Sequence, residues 1–207
     1  MIIIRPIIGI ITKSVFSTEN NLMCGVYYAI CESVENSGGI CVGILPLNMY
    51  NQDYLLSLDG IIFQGGDDYE DYEFRYLELA YKNNIPVLGI CAGMQLMGEL
   101  FGGKLKEVYD HKKKEATYAH EITISPNSKL YQIFQKEKIE VNSRHSFWVE
   151  GTHLLVSATC GDVAEAIEDP DKSFFIGVQW HPELMFSYDD DQKKLFDYFI
   201  KVCRGDL

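Results

Sequence analysis

A chain of 207 residues, 47% of them hydrophobic, is long enough to bury a core without help from disulfides or metals. Its formal net charge of −12 makes a phosphate backbone an unfavourable partner, because nucleic-acid affinity is drawn from many Lys and Arg contacts. No apolar run approaches the roughly 20 residues of a membrane span, so neither nucleic acid nor a membrane is expected as a partner, and a cytoplasmic location is expected.

The first apolar stretch, Ile2 to Ile11, is interrupted by Arg5, Pro6 and Gly9, is followed by no small-residue cleavage site, and reads as a buried strand over Ile7 to Ile11. A helix over Val26 to Asn36 and a strand over Ile40 to Leu45 follow. The alternation continues with a strand at Gly60 to Gln64, a helix at Tyr72 to Lys82, a strand at Val87 to Ile90 entered through Pro86, and a helix at Gly93 to Phe101 ended by Gly102-Gly103. Short apolar runs alternating with helix-length amphipathic stretches predict parallel strands covered by helices. The second half predicts further or antiparallel strands at Glu121 to Ser125, Leu154 to Thr159, Val163 to Ile167 and Phe174 to Trp180. A last helix, Gln192 to Cys203, sets Leu195, Phe196, Phe199, Ile200 and Cys203 at helical spacing. Residues 109–118 are polar and aperiodic and are expected to form a loop near the site. No repeat or linker divides the chain, which is expected to be one domain over 1–207.

The six cysteines, at positions 24, 31, 41, 91, 160 and 203, form no Cys-x-x-Cys pair, so neither a metal site nor a redox pair is expected, and no cofactor. Cys24 and Cys31 lie seven apart in a predicted helical region and are expected to share a face as core fillers; Cys41 and Cys160 sit in or beside apolar strands and receive the same reading. The lysine run Lys112 to Lys114 and the acidic runs Asp67 to Asp71 and Asp189 to Asp191 read as solvated surface.

Pro86-Val-Leu-Gly-Ile-Cys91-Ala-Gly-Met-Gln95 carries the strongest chemical signal: an apolar strand runs into Gly-x-Cys-x-Gly and then a helix. This is the nucleophile-elbow pattern with cysteine in the serine place. Gly89 and Gly93 leave room for a strained turn that lifts Cys91 from the sheet at a helix N-terminus. Unpaired N–H groups there, with a neighbouring imidazolium, move a thiol pKa from about 8.5 to roughly 3.5–7.5. Taken alone, the pattern would equally suit a buried cysteine at a strand end. The second signal is Phe174-Phe-Ile-Gly-Val-Gln-Trp-His181-Pro-Glu183, an apolar strand ending in a base and a carboxylate. Residues two apart in extended chain share a side, so Glu183 is expected to hold one nitrogen of His181 and leave the other for the thiol proton. The N–H of Ala92 and a glycine of Gly65-Gly66 are the candidate oxyanion donors.

With these motifs in this order, the chain resembles the class I glutamine amidotransferase superfamily, most closely the γ-glutamyl-γ-aminobutyrate hydrolase (peptidase C26) branch. The resemblance spans nearly the whole chain and rests on Gly65-Gly66-Asp67-Asp68, Gly89-Ile-Cys-Ala-Gly-Met-Gln95, Val141-Asn-Ser-Arg-His145, Ala164-Glu-Ala-Ile-Glu168 and Gly177-Val-Gln-Trp-His-Pro-Glu183. It implies an α/β fold: a three-layer sandwich around a central, mostly parallel, flavodoxin-like sheet. It also implies a Cys91, His181, Glu183 triad, oxyanion N–H groups from Gly66 and Ala92, and a glutamyl head group held by Gln95, Ser143, Arg144 and His145. Two departures bear on the leaving group rather than the triad: Ser146 and Phe147 stand where that branch carries a second histidine and a glutamine, and the glycine turn lacks the usual proline or extended segment after it. The function implied is cleavage of a γ-glutamyl amide through a glutamyl thioester. Alternatives are a glutaminase subunit that delivers ammonia to a separate synthetase and a non-catalytic binding protein on the same fold. The partners implied are a small γ-glutamyl substrate, a second copy in a homodimer and, under the ammonia-delivering reading, the synthetase.

Overall fold

The structure is a computed structural model that describes residues 4–46 and 53–207; the first residues of the apolar stretch, Ile2 and Ile3, lie outside the described residues. The alternating half of the chain forms β1 (Ile7–Ile11), α1 (Tyr28–Asn36), β4 (Ile40–Ile44), β5 (Gly60–Phe63), α2 (Asp71–Lys82), β6 (Val87–Ile90) and α3 (Ala92–Leu100), with a hairpin of β2 (Lys13–Phe16) and β3 (Leu22–Gly25) after β1. The second half forms β7 (Lys104–Glu107), β8 (His120–Ile124), α4 (Lys129–Phe134), β9 (Lys138–Val141), β10 (Phe147–Glu150), β11 (Leu155–Cys160), β12 (Val163–Glu168), β13 (Phe175–Val178) and α5 (Asp190–Arg204).

Nine strands build the main sheet in the order β4-β1-β5-β6-β13-β12-β11-β8-β9. The run from β4 to β13 is parallel, and the remaining strands continue it antiparallel. The centre is buried on both faces, with β5, β6 and β13 buried along their whole length, which is why they read as continuous apolar runs. Side chains alternate across the pleat into two cores. Ile8, Ile62, Leu88, Ile176 and Val178 meet Ile30 and Val34 of α1 and Leu195, Phe196, Phe199 and Ile200 of α5. On the other face Ile61, Phe63, Val87 and Phe175 meet Tyr76, Leu77 and Ala80 of α2 and Met94 and Met97 of α3. The result is the three-layer α/β sandwich that the resemblance implies, with the helix-covered parallel strands that the alternation predicts. No helix among the described residues is long and apolar enough to cross a membrane.

Several elements depart from the sequence reading. Cys24 is not helical but lies exposed in β3, so it shares no face with Cys31. The β2–β3 hairpin carries its apolar side chains outward, Phe16 at 70% and Leu22 at 64% exposure. Burial therefore imposes no periodicity there for the sequence to display.

The parallel order positions the site. β5, β6 and β13 are neighbours, with Phe63 beside Gly89 and Ile90 beside Val178. Whatever follows each strand must emerge at one carboxyl edge, where ligands of open α/β sheets bind. Gly65-Gly66, Cys91 and His181 are those following residues.

Candidate active site

Cys91 joins β6 to α3 with φ 51° and ψ −105°, a conformation rare for a residue with a side chain. Its N–H donates to the Val178 carbonyl at 2.8 Å, and its carbonyl accepts from Gln95 N–H at 3.0 Å, so the strained residue is fixed on both sides. Glycine at 93 makes the turn attainable: a Cβ there would stand 2.0 Å from the Phe63 carbonyl oxygen. Ala92 is the first residue of α3, where backbone N–H groups have no intrahelical acceptor.

His181 Nδ1 lies 2.8 Å from Glu183 Oε1. The pair forms by a route other than extended chain: Pro182 opens a single 3-10 turn, Pro182–Leu184, which folds the carboxylate back onto the ring. Asn142 clamps the His181 backbone, donating from Nδ2 to its carbonyl at 2.7 Å and accepting its N–H on Oδ1 at 3.0 Å. The imidazole and Cys91 line the same cavity, and the Cys91 side chain is near enough to act on the charge of the ring. A Cβ on residue 65 would lie 2.7 Å from His181 Cε1 and 3.5 Å from Cys91 Cβ, so only the bare backbone of Gly65 lets the ring sit there. Burial opposes a charge on His181, yet the Glu183 carboxylate and the Cys91 side chain raise its pKa from 6.5 to about 10. A thiol beside an imidazole whose other nitrogen is held by a carboxylate is equipped for proton transfer from sulfur and for nucleophilic attack.

A cavity of about 240 Å³ opens over Cys91, bounded by Tyr27, Gly66, Asp67, Lys112, Lys114, Arg144, His181, Glu183 and Leu184. A larger cleft of about 510 Å³ lies beside β8 and β9; both of its lysines are paired, Lys138 with Glu121 and Lys136 with Asp191 at 2.6 Å, and no cysteine or histidine lines it.

The predicted residues divide. Cys91, His181, Glu183, Gly66 and Arg144 meet at the cavity. Gln95, Ser143 and His145 are buried and are not among the residues that bound it. Gln95 Nε2 donates to the Phe147 carbonyl at 2.9 Å, and the His145 ring faces Glu165 on β12. Of the Ser143 to His145 segment only Arg144 is exposed, and its two neighbours are buried.

The loop expected near the site is there: Lys112 and Lys114 are exposed, as the sequence reading has them, and also bound the cavity, with the loop tied down where Lys113 N–H donates to the Ser143 carbonyl at 2.9 Å. Two contacts at the site were not read from the sequence. Buried Gln64 accepts from Tyr27 N–H and donates to the Ile11 and Gly25 carbonyls, which delivers Tyr27 to the rim. Gln179 Nε2 points at Cys91 Sγ, 3.7 Å away. The glutamine two residues before the base was the one available signal for this last contact.

Residues 6–183 match the sequence profile of the Peptidase C26 family. The chain is 30% identical over 202 residues to the Schizosaccharomyces pombe protein PB2B2.05, covering 82% of this chain and 79% of that one. It is 33% identical over 157 residues to the glutamine-hydrolysing GMP synthase of Listeria monocytogenes, covering 73% of this chain but 29% of that longer protein. The glutaminase domain of Trypanosoma brucei CTPS with bound acivicin shares the fold, with a TM-score of 0.73 at 19% identity over 97% of this chain and 94% of that one. A thiol turn, a carboxylate-held histidine and a profile match across most of the sequence thus lead to one assignment: the chain belongs to the peptidase C26 family of class I glutamine amidotransferase-like proteins.

Proposed function

We propose that the protein hydrolyses the γ-amide bond of a small glutamyl substrate, with Cys91 as nucleophile, His181 as acid and base, and Glu183 as the carboxylate that orients the ring. The observation that carries this reading is His181, held on Glu183 at 2.8 Å and lining with Cys91 one cavity of about 240 Å³. The thiolate adds to the γ-carbonyl, and the resulting oxyanion is held by the N–H groups of Gly66 and Ala92. His181 gives its proton to the departing amine as the C–N bond breaks, leaving a glutamyl thioester. Water, deprotonated by His181, then adds to the thioester; glutamate leaves and the thiol returns. Arg144, Lys112 and Lys114 supply the cations for the substrate carboxylate. The six free cysteines suit a reducing compartment such as the cytoplasm.

Purified protein incubated with glutamine and a panel of γ-glutamyl amines should release amine, and a Cys91→Ala variant should release none. Preference for substituted amines over glutamine is the expected outcome. The similarity to one part of a glutamine-hydrolysing GMP synthase favours a second reading, a glutaminase that feeds ammonia to a separate synthetase. Turnover of plain glutamine that appears only with a partner protein would support that reading. If a glutamine-like electrophile failed to label Cys91 in folded protein, both readings would fall.

A further inference from the structure

On the antiparallel side of the sheet, a cluster of side chains surrounds Glu165 of β12. Glu165 Oε1 lies 2.7 Å from Nε2 of His111, 3.1 Å from Nε2 of His120 and 3.7 Å from Nε2 of His145. The carboxylate is fully buried, His145 is 1% exposed, and His111 and His120 are close to a tenth exposed. Donor atoms of His111, His145 and Glu165 all fall within 4.8 Å of one another, and those of His111, His120 and Cys160 do likewise.

Hydrogen bonding within the cluster is incomplete. His145 Nδ1 is 3.0 Å from the Phe147 carbonyl. A carbonyl only accepts, so Nδ1 carries a ring proton and leaves Nε2 facing the carboxylate. His145 Nε2, His120 Nε2 and Glu165 Oε2 are all buried without a hydrogen-bond partner. Buried polar atoms left without a partner are costly, and a cation among them would satisfy them. Donors of a tetrahedral zinc with bonds of about 2.0–2.1 Å stand about 3.3 Å apart, inside the spread of the distances to Glu165. The Nδ1–H bond to a backbone carbonyl is also the outer support that a ligating imidazole usually has.

We propose that His111, His145 and Glu165 bind a first-row divalent cation, zinc foremost, at a site separate from Cys91. Imidazole with carboxylate suits this class of ion, and three protein donors leave the fourth position of a tetrahedral ion to water. The ion braces the cavity wall from behind. His111 precedes Lys112, His145 follows Arg144, and the Glu165 carbonyl accepts the Gln179 N–H at 2.7 Å.

The test measures binding, so it does not depend on the hydrolase reading. Full-length protein is stripped with a chelator, titrated with Zn²⁺ by calorimetry and with Co²⁺ by visible absorption, and its melting temperature is followed. One ion per chain, a tetrahedral Co²⁺ spectrum and a raised Tm are expected. Glu165→Gln and His145→Gln should each weaken binding tenfold or more. His111→Ala, at the rim of the cluster, supplies the same test should a buried substitution unfold the chain. Cys91→Ala should keep its ion, and loss of the ion with Cys91 would place it in the catalytic cavity and overturn the proposal. It is equally overturned if the folded protein takes up no ion, or if affinity is unchanged in every cluster variant that folds.

Discussion

Asn142 bonds the backbone of His181 twice, donating to its carbonyl at 2.7 Å and accepting its N–H at 3.0 Å, although 39 residues separate the two. One buried amide therefore holds the base in place along the axis that leads to Cys91. Asn142→Asp keeps the acceptor but sets an oxygen against the carbonyl, and Asn142→Ala removes both bonds. Each should cost about 1–3 kcal/mol of stability for the groups left unpaired. A base displaced by about 1 Å should lower kcat by up to about 10²-fold while KM changes little. Denaturant titration and steady-state kinetics on the preferred γ-glutamyl substrate check the two effects separately.

Glu183 governs the charge of His181. Burial disfavours the imidazolium, but Glu183 and Cys91 lift its pKa from 6.5 to about 10. With the folded value raised, the stabilisation from this proton is complete below about 6.5 and is lost as pH climbs toward 10. In Glu183→Gln the ring should titrate at lower pH, and the alkaline decline in stability should shrink. NMR titration of the His181 Cε1 proton, together with unfolding at neutral and alkaline pH, reads both. An unchanged His181 titration would contradict the assignment.

Gly93→Ala should be among the most damaging single-methyl substitutions. The new Cβ would sit 2.0 Å from a backbone oxygen of β5 that cannot rotate away, so α3 must lift from the sheet. About 3 kcal/mol or more of destabilisation is expected, with loss of Cys91 labelling by a thiol electrophile even in the fraction that stays folded. Normal labelling in a folded Gly93→Ala protein would show that the turn tolerates the displacement.

Lys13 donates to both oxygens of Glu73 at 2.8 Å and to the Asp68 carbonyl at 2.9 Å, fastening the glycine turn to α2. Glu73 is 1% exposed, and its burial already pushes the carboxyl pKa upward against the pull of Lys13. Lys13→Met should therefore cost about 3–5 kcal/mol by stranding the carboxylate. Adding Glu73→Gln should recover part of the loss, giving a measurable coupling energy in a double-mutant cycle. Additive effects of the two substitutions would argue that the pair is not coupled.

The sequence was most informative where burial constrains it hardest. β1, β5, β6 and β13 appear as apolar runs because helices cover both of their faces, and their predicted positions agree with the structure to within a few residues. β7, with the sequence Lys-Leu-Lys-Glu, is exposed at every position, and β2 and β3 hold their apolar groups outward; hydrogen bonding to a partner strand defines these elements and leaves little trace in composition. The short α4 rests on a Ser128 cap and contacts from distant residues.

Local order along the chain determined the elbow at Cys91 and the pairing of His181 with Glu183, because strand, turn and next residue lie within a few peptide units of each other. Tertiary structure alone decided that Asn142, Gln179 and Tyr27 join that site, that Arg144 faces the cavity while His145 turns away, and that three histidines gather around Glu165. The reason is geometric. Side-chain direction in irregular segments is set by contacts with strands distant in sequence, and sheet order, which creates those contacts, is a property of the folded whole.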